Sequence, residues 1–140
     1  MAVIDHQADE PIDDLLVDIF RMQEKLMKRY QSETTEELPD WPLELTCKSD
    51  QRFCRDMISR MQDELFEAKF HLRRAKEHRN VDCGDLDFDA LTEELVDSLH
   101  YFVEVMILLG VSPHQLYDLY NNKNSKNHKR IDKEFGCSAI

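Results

Sequence analysis

Residues 88–109 read FDALTEELVDSLHYFVEVMILL, and this stretch limits the possible folds more than any other. Its 3.6-residue spacing predicts a helix from about Phe88 to Leu109, stopped by Gly110. Leu95, Val96, Leu99, Phe102, Val103, Met106, Ile107 and Leu109 cover most of its circumference. A helix apolar on most sides is stable in water only when other elements cover it. One narrow stripe breaks the pattern: Glu94, Asp97, His100, Tyr101 and Glu104. In a central helix such a stripe faces either a solvent edge or an internal site, because an uncompensated carboxylate on a core face is expensive.

The covering elements read as helices too. With 3 Gly, 4 Pro and little strand-like alternation in 140 residues, the chain is expected to be one all-α domain, a bundle of four to five helices. A first helix is predicted from about Pro11 to Gln31, with Ile12, Leu15, Leu16, Ile19, Leu26, Met27 and Tyr30 on its apolar stripe. A second is predicted from about Ser49 to His78, its stripe formed by Cys54, Met57, Ile58, Met61, Leu65, Ala68, Leu72 and Ala75. Aspartates 85, 87 and 89 supply turn and cap chemistry before the third helix. Ser112, Pro113 and Gln115 form a capping box that starts the fourth.

Charge and composition narrow the function classes. Hydrophobic residues make up 41% and charged residues 34%, a globular balance. A net charge of −11 argues against a nucleic-acid polymer as partner. The two basic clusters, HLRRAKEHR (71–79) and KNSKNHKR (123–130), lie beside acids, which points to a small anionic ligand. The apolar run Val103–Val111 is interrupted by Glu104 and too short to cross a bilayer. MAVIDHQADEPIDD lacks the basic and apolar segments of a signal peptide, so a cytoplasmic location is expected. Cys47, Cys54, Cys83 and Cys137 show no CxxC spacing and read as reduced thiols.

Two acid pairs carry the chemistry. Glu64 with Glu67, and Glu94 with Asp97, each stand at i,i+3 on one helix face. Four carboxylates without thiol ligands suit a hard cation, Mg2+ with Mn2+ as second choice, and such an ion binds phosphates. Gln23 sits inside an apolar stripe, either as a satisfied core amide or as a contact for the edge of a base. Trp41, between Pro39 and Pro42, covers the core or walls a stacked ring. Tyr120, Lys123 or Asn124, Asn127 and Arg130 run down one face of the fourth helix, as a polar helix end or as donors to phosphate oxygens.

The order of these elements, ExxE, a spacer, then ExxD, resembles the all-alpha nucleoside triphosphate pyrophosphatase superfamily. The likeness is closest to its dimeric dUTPase and phage dCTPase-dUTPase branch. FRMQEKL (20–26), QDELFEA (62–68) and the segment EELVDSLHYFVEVMILLGVSPHQLYDLYNNKNSKNHKR (93–130) carry it. It covers residues 12–131, leaving 1–11 and 132–140 as tails. The resemblance implies Mg2+-dependent hydrolysis of a deoxynucleoside triphosphate, dUTP, dCTP or a modified or other dNTP, to the monophosphate and pyrophosphate. It implies that Glu64, Glu67, Glu94 and Asp97 hold metal, with Glu64 or Glu67 serving the attacking water. Gln23 would contact the base and His100 the nucleoside. Tyr120, Lys123, Asn127 and Arg130 would contact sugar and phosphates, and Lys76 and His78 phosphate. It also implies a homodimer or homotetramer. Met27 stands where the dimeric dUTPases carry Asn and the phage enzyme Gln, the usual tryptophan pair after the first acid motif is missing, and the tail ends in FGC rather than Gly-Tyr.

Three other readings compete. A broad or purine-specific MazG-like house-cleaning pyrophosphatase shares the same motifs. A non-catalytic helical interaction protein would carry its acids as a solvated face. A di-iron carboxylate bundle needs two ExxH motifs, and only DSLH (97–100) comes near.

Overall fold

A computed structural model of the chain describes residues 14–72 and 86–136. Four helices follow one another: α1 (Leu15–Glu33), α2 (Lys48–Phe70), α3 (Phe88–Leu108) and α4 (Pro113–Phe135). The expected all-α architecture is present, and no strand occurs among the described residues. Helix α3 is the axis: α2 packs along it and α1 crosses it, while α4 rests lightly on α1.

The helix ends follow local chemistry. The Asp14 side chain accepts from the backbone N–H groups of Leu16 and Val17, and Asp87 caps α3 by accepting from Ala90. Such caps satisfy donors that the first turn leaves orphaned. Both halves of the Ser112/Gln115 capping box form. At the end of α3, Gly110 adopts φ +76, and the N–H groups of Gly110 and Val111 return to the carbonyls of Ile107 and Met106. This Schellman closure needs a left-handed residue, which glycine supplies without strain. It also lets α4 leave at a bend of 107°.

The loop 34–47 is pinned to the same place. Leu43 N–H donates to the Leu108 carbonyl at 2.7 Å, and a Cβ on Gly110 would lie 3.2 Å from Pro42 Cβ. The tether sets Pro39 and Trp41 against the helices. The core beneath joins Phe20 and Met27 of α1, Leu43 of the loop, Cys54 and Met57 of α2, and Val103, Val105, Ile107 and Leu108 of α3.

Several expectations need correction. Helix α2 ends at Phe70 rather than His78: His71 and Leu72 are already in a turn. Residues 11–13 and 73–85, on which the predicted start of the first helix and end of the second fall, lie outside the described residues, as do Cys83 and Cys137. Helix α4 runs from Pro113 to Phe135. The largest correction concerns α3. Its C-terminal half is central, but Leu95, Val96 and Leu99 are 45%, 52% and 46% exposed. Ile58, Leu65 and Leu72 on the α2 side, and Leu15, Leu26 and Tyr30 of α1, are exposed as well. The apolar stripes are therefore only partly covered among the described residues. Among the described residues, no single helix is long and apolar enough to cross a membrane.

Candidate functional site: an acidic cluster opening into an apolar cavity

The α2–α3 contact brings the two acid motifs together. Ligand oxygens of Glu64, Glu94 and Asp97 lie within 4.8 Å of one another, and all three side chains are half-buried. Helical spacing explains the geometry: Glu64 shares the α2 face of Met57 and Ala68, while Glu94 and Asp97 share the α3 face that meets it. Glu67 is exposed and stands outside this trio, beside Glu94.

Electrostatics mark the cluster. Burial, a hydrogen bond with Glu94 and the charges of Glu67, Asp97 and Glu94 push Glu64 up to about 7. A shared proton with Glu94, then the Glu94 charge, also raise Glu67. Carboxylates this close disfavour the charged form of Glu64, and a cation among them would relieve that repulsion. His71 is the nearest described cation candidate, its Nε2 4.0 Å from Glu94 Oε1. The donor set, three carboxylates and no thiol, fits a hard divalent cation.

A cavity of about 480 Å³ runs from this cluster to the α1 side. Glu64 and Asp97 line one end; Gln23, Met27, Trp41, Tyr101 and His100 line the other. That volume suits a small-molecule site, typically about 300–1,000 Å³. Gln23 is only 5% exposed, yet its Oε1 meets His100 Nδ1 at 2.7 Å, and that oxygen can only accept from the ring nitrogen. Gln23 is thus a buried amide with a hydrogen-bond partner, and it also lines the cavity.

The remaining expected site residues divide. Trp41 packs against the core and also lines the cavity. Tyr120, Lys123, Asn124 and Arg130 are exposed on α4, Asn127 is half-buried, and none of the five lines this chain's cavity. Helix α4 packs chiefly against α1 rather than against the two helices that carry the acids. Lys76 and His78 lie outside the described residues. Arg60 and Glu104 line the cavity without having been singled out as ligand contacts. The signal was present in spacing: Arg60 precedes Glu64 by four residues, and Glu104 follows His100 by four. Burial raises the Glu104 pKa, and the charge of Arg60 partly offsets this.

No protein-family model matches the sequence, and neither a curated protein nor a solved structure matches it.

Proposed function

We propose that the chain is a Mg2+-dependent nucleotide pyrophosphohydrolase that converts a deoxynucleoside triphosphate and water to the monophosphate and pyrophosphate. One observation carries this reading: a cluster of three carboxylates opens into the same cavity as a buried amide, a tryptophan and a tyrosine. Such a cavity suits a flat ring beside the aromatic side chains and phosphates beside the carboxylates, where a cation would be held. The order of motifs that resembles the all-alpha pyrophosphatases, near their dUTPase and dCTPase-dUTPase branch, supports it.

Glu64, Glu94 and Asp97 would hold the ion, Mg2+ or Mn2+. Bound there, it neutralises phosphate charge and lowers the pKa of a water. The chain's own groups do the rest. Glu67, beside the trio and more exposed, orients the attacking water or takes its proton, with Glu64 as the other candidate. Trp41 and Tyr101 offer faces to a base, and the cavity excludes water around it.

The partner is proposed to be a second copy of this chain, in a homodimer or homotetramer. Helix α4 has no buried residue, and Phe88, Leu95 and Leu99 are exposed on one side of α3 among the described residues. Ile58 and Leu65 extend that face on the edge of α2 opposite Phe53 and Arg60, which line the cavity. Assembly on this face would leave the cavity open. It would also give the α4 donors Tyr120, Lys123, Asn124, Asn127 and Arg130 a site to reach.

The test is a panel of canonical and modified dNTPs with Mg2+, with products resolved as monophosphate plus pyrophosphate or diphosphate plus phosphate. Turnover should require the cation and be lost in Glu94→Gln and Asp97→Asn. Undiminished hydrolysis in both variants would sink the assignment. A melting curve that Mg2+ and a non-hydrolysable nucleotide leave unmoved would favour a helical interaction protein instead.

A further inference from the structure

A metal and phosphate site uses the acidic end of the cavity and leaves two polar groups at the other end without work. The first is the Gln23 amide. Its oxygen is committed to His100, the residue is 5% exposed, and among the described residues its Nε2 has no hydrogen-bond partner. Among the described residues no buried side-chain nitrogen or oxygen lacks a partner, so this N–H₂ is open to the cavity that Gln23 lines and is free to meet an acceptor there. The second is Glu104, one turn beyond His100 and half-buried on the same wall. Among the described residues its carboxylate has neither a hydrogen bond nor an ion pair, and it stands outside the metal trio. Arg60 lines the cavity near enough to favour its charged form, against a burial cost that still dominates. Met27, Trp41 and Tyr101 flank these groups with apolar and aromatic faces.

We propose that Glu104 and Gln23 read the edge of a nucleobase that carries an exocyclic amine, Glu104 accepting from the amine and Gln23 donating to a ring nitrogen or carbonyl. The inference rests on the cavity being a nucleotide site. An ionised carboxylate only accepts hydrogen bonds. Cytosine, adenine and guanine each offer it an N–H₂, and acceptance from the cytosine amine is a well-matched pairing. Uracil and thymine offer a single ring N–H between two carbonyls, whose lone pairs face the carboxylate and repel it. Glu104 is therefore a specificity residue, and it selects against dUTP and dTTP.

The experiment is calorimetric binding to the full chain in Mg2+, using α,β-imido analogues of dCTP and dUTP, and of dATP, dGTP and dITP. Within each size class the ligands differ chiefly at the amine. The amino member should bind at least about tenfold tighter than its oxo counterpart. Glu104→Gln should erase most of that preference, because an amide can turn its N–H₂ toward a carbonyl. Equal binding, or preference for the oxo member, overturns the inference on the wild-type protein alone, whether or not the variant folds. A Glu104→Gln variant that weakens all ligands alike and keeps their ratio also overturns it, since Glu104 then serves only Arg60. Failure of every nucleotide to bind overturns the nucleotide site itself, a result distinct from binding without amine preference.

Discussion

His100 Nδ1 stands 2.7 Å from Gln23 Oε1, a hydrogen bond that ties α3 to α1 across 77 positions of sequence. It resolves how an amide can sit in an apolar stripe: the carbonyl is anchored, and the N–H₂ is left facing the cavity. The two halves of the pair should therefore respond differently to mutation.

Gln23→Leu keeps the volume and removes both polar atoms, while the exposed His100 ring can turn to water. Its stability should stay within about 1 kcal/mol of wild type, since the partner left behind, His100, is exposed and re-pairs with water, so no buried group is left unsatisfied. Nucleotide binding should be lost. His100→Ala instead strands the buried Gln23 carbonyl and should cost about 1–3 kcal/mol. Urea unfolding and calorimetry on both variants separate anchor from reader. Equal stability losses would show that Gln23 is core and nothing more.

The carboxylate cluster predicts an unusual pH profile. Glu64 titrates near 4.5 unfolded and is pushed up to about 7 in the fold, and Glu67 moves the same way. The folded state thus holds protons that the unfolded state has released. The contribution of Glu64 is full below about 4.5 and is lost as pH rises to about 7. Glu94→Gln, which removes a charge and offers a donor, should flatten this decline. Mg2+ should act in the opposite sense, raising Tm more at neutral than at acid pH, because ligands bind metal only when deprotonated. Thermal melts across pH, with and without Mg2+, check both slopes. A Mg2+ shift that does not grow with pH would remove the metal from this cluster.

How far this was legible in sequence depends on range. The Ser112/Gln115 box and the Gly110 stop act within a few residues, so spacing alone revealed them. The convergence of Glu64 with Glu94 and Asp97 followed from facing stripes on two helices. Periodicity could not say how much of a stripe one chain covers. It therefore placed Leu95, Val96 and Leu99 inside, where they are exposed. Phe20, which is buried, falls beside the predicted stripe of α1. The Gln23–His100 bond and the place of Glu104 depend on the crossing of α1 over α3, which no local pattern encodes. The donor row of α4 was read correctly as one face, but a wheel carries no information on which cavity that face meets.

Gly110 joins the fold to the cavity wall. Its φ of +76 disfavours any Cβ, and that Cβ would press on Pro42 at 3.2 Å. Gly110→Ala should cost more than about 1 kcal/mol, the usual result where a side chain is forced into left-handed backbone. Because Pro42 adjoins Trp41, the displacement should also weaken nucleotide binding and alter tryptophan fluorescence. A variant with wild-type stability would mean that the loop shifts freely and that the Leu43–Leu108 tether does not fix it.

The exposed side of α3 makes the last prediction. Leu95 and Leu99 lie one turn apart, and Phe88 shares their side at 64% exposure. In a monomer, replacing such surface residues by charge changes stability by only about 0.5 kcal/mol either way. In an assembly that buries them, Leu99→Glu places an unpaired carboxylate in an apolar contact, which opposes association strongly. The wild-type chain should therefore sediment as a dimer or tetramer, with a Tm that rises with protein concentration. Leu99→Glu should sediment as a monomer, melt lower and independently of concentration, and hydrolyse nucleotide poorly if α4 of a second copy completes the site. Leu65→Glu, on the α2 edge of the same face, should act alike, whereas Glu93→Ala, a residue already charged and exposed, should not. A wild-type protein that stays monomeric at micromolar concentration would remove the second copy from this face, and with it the shared site.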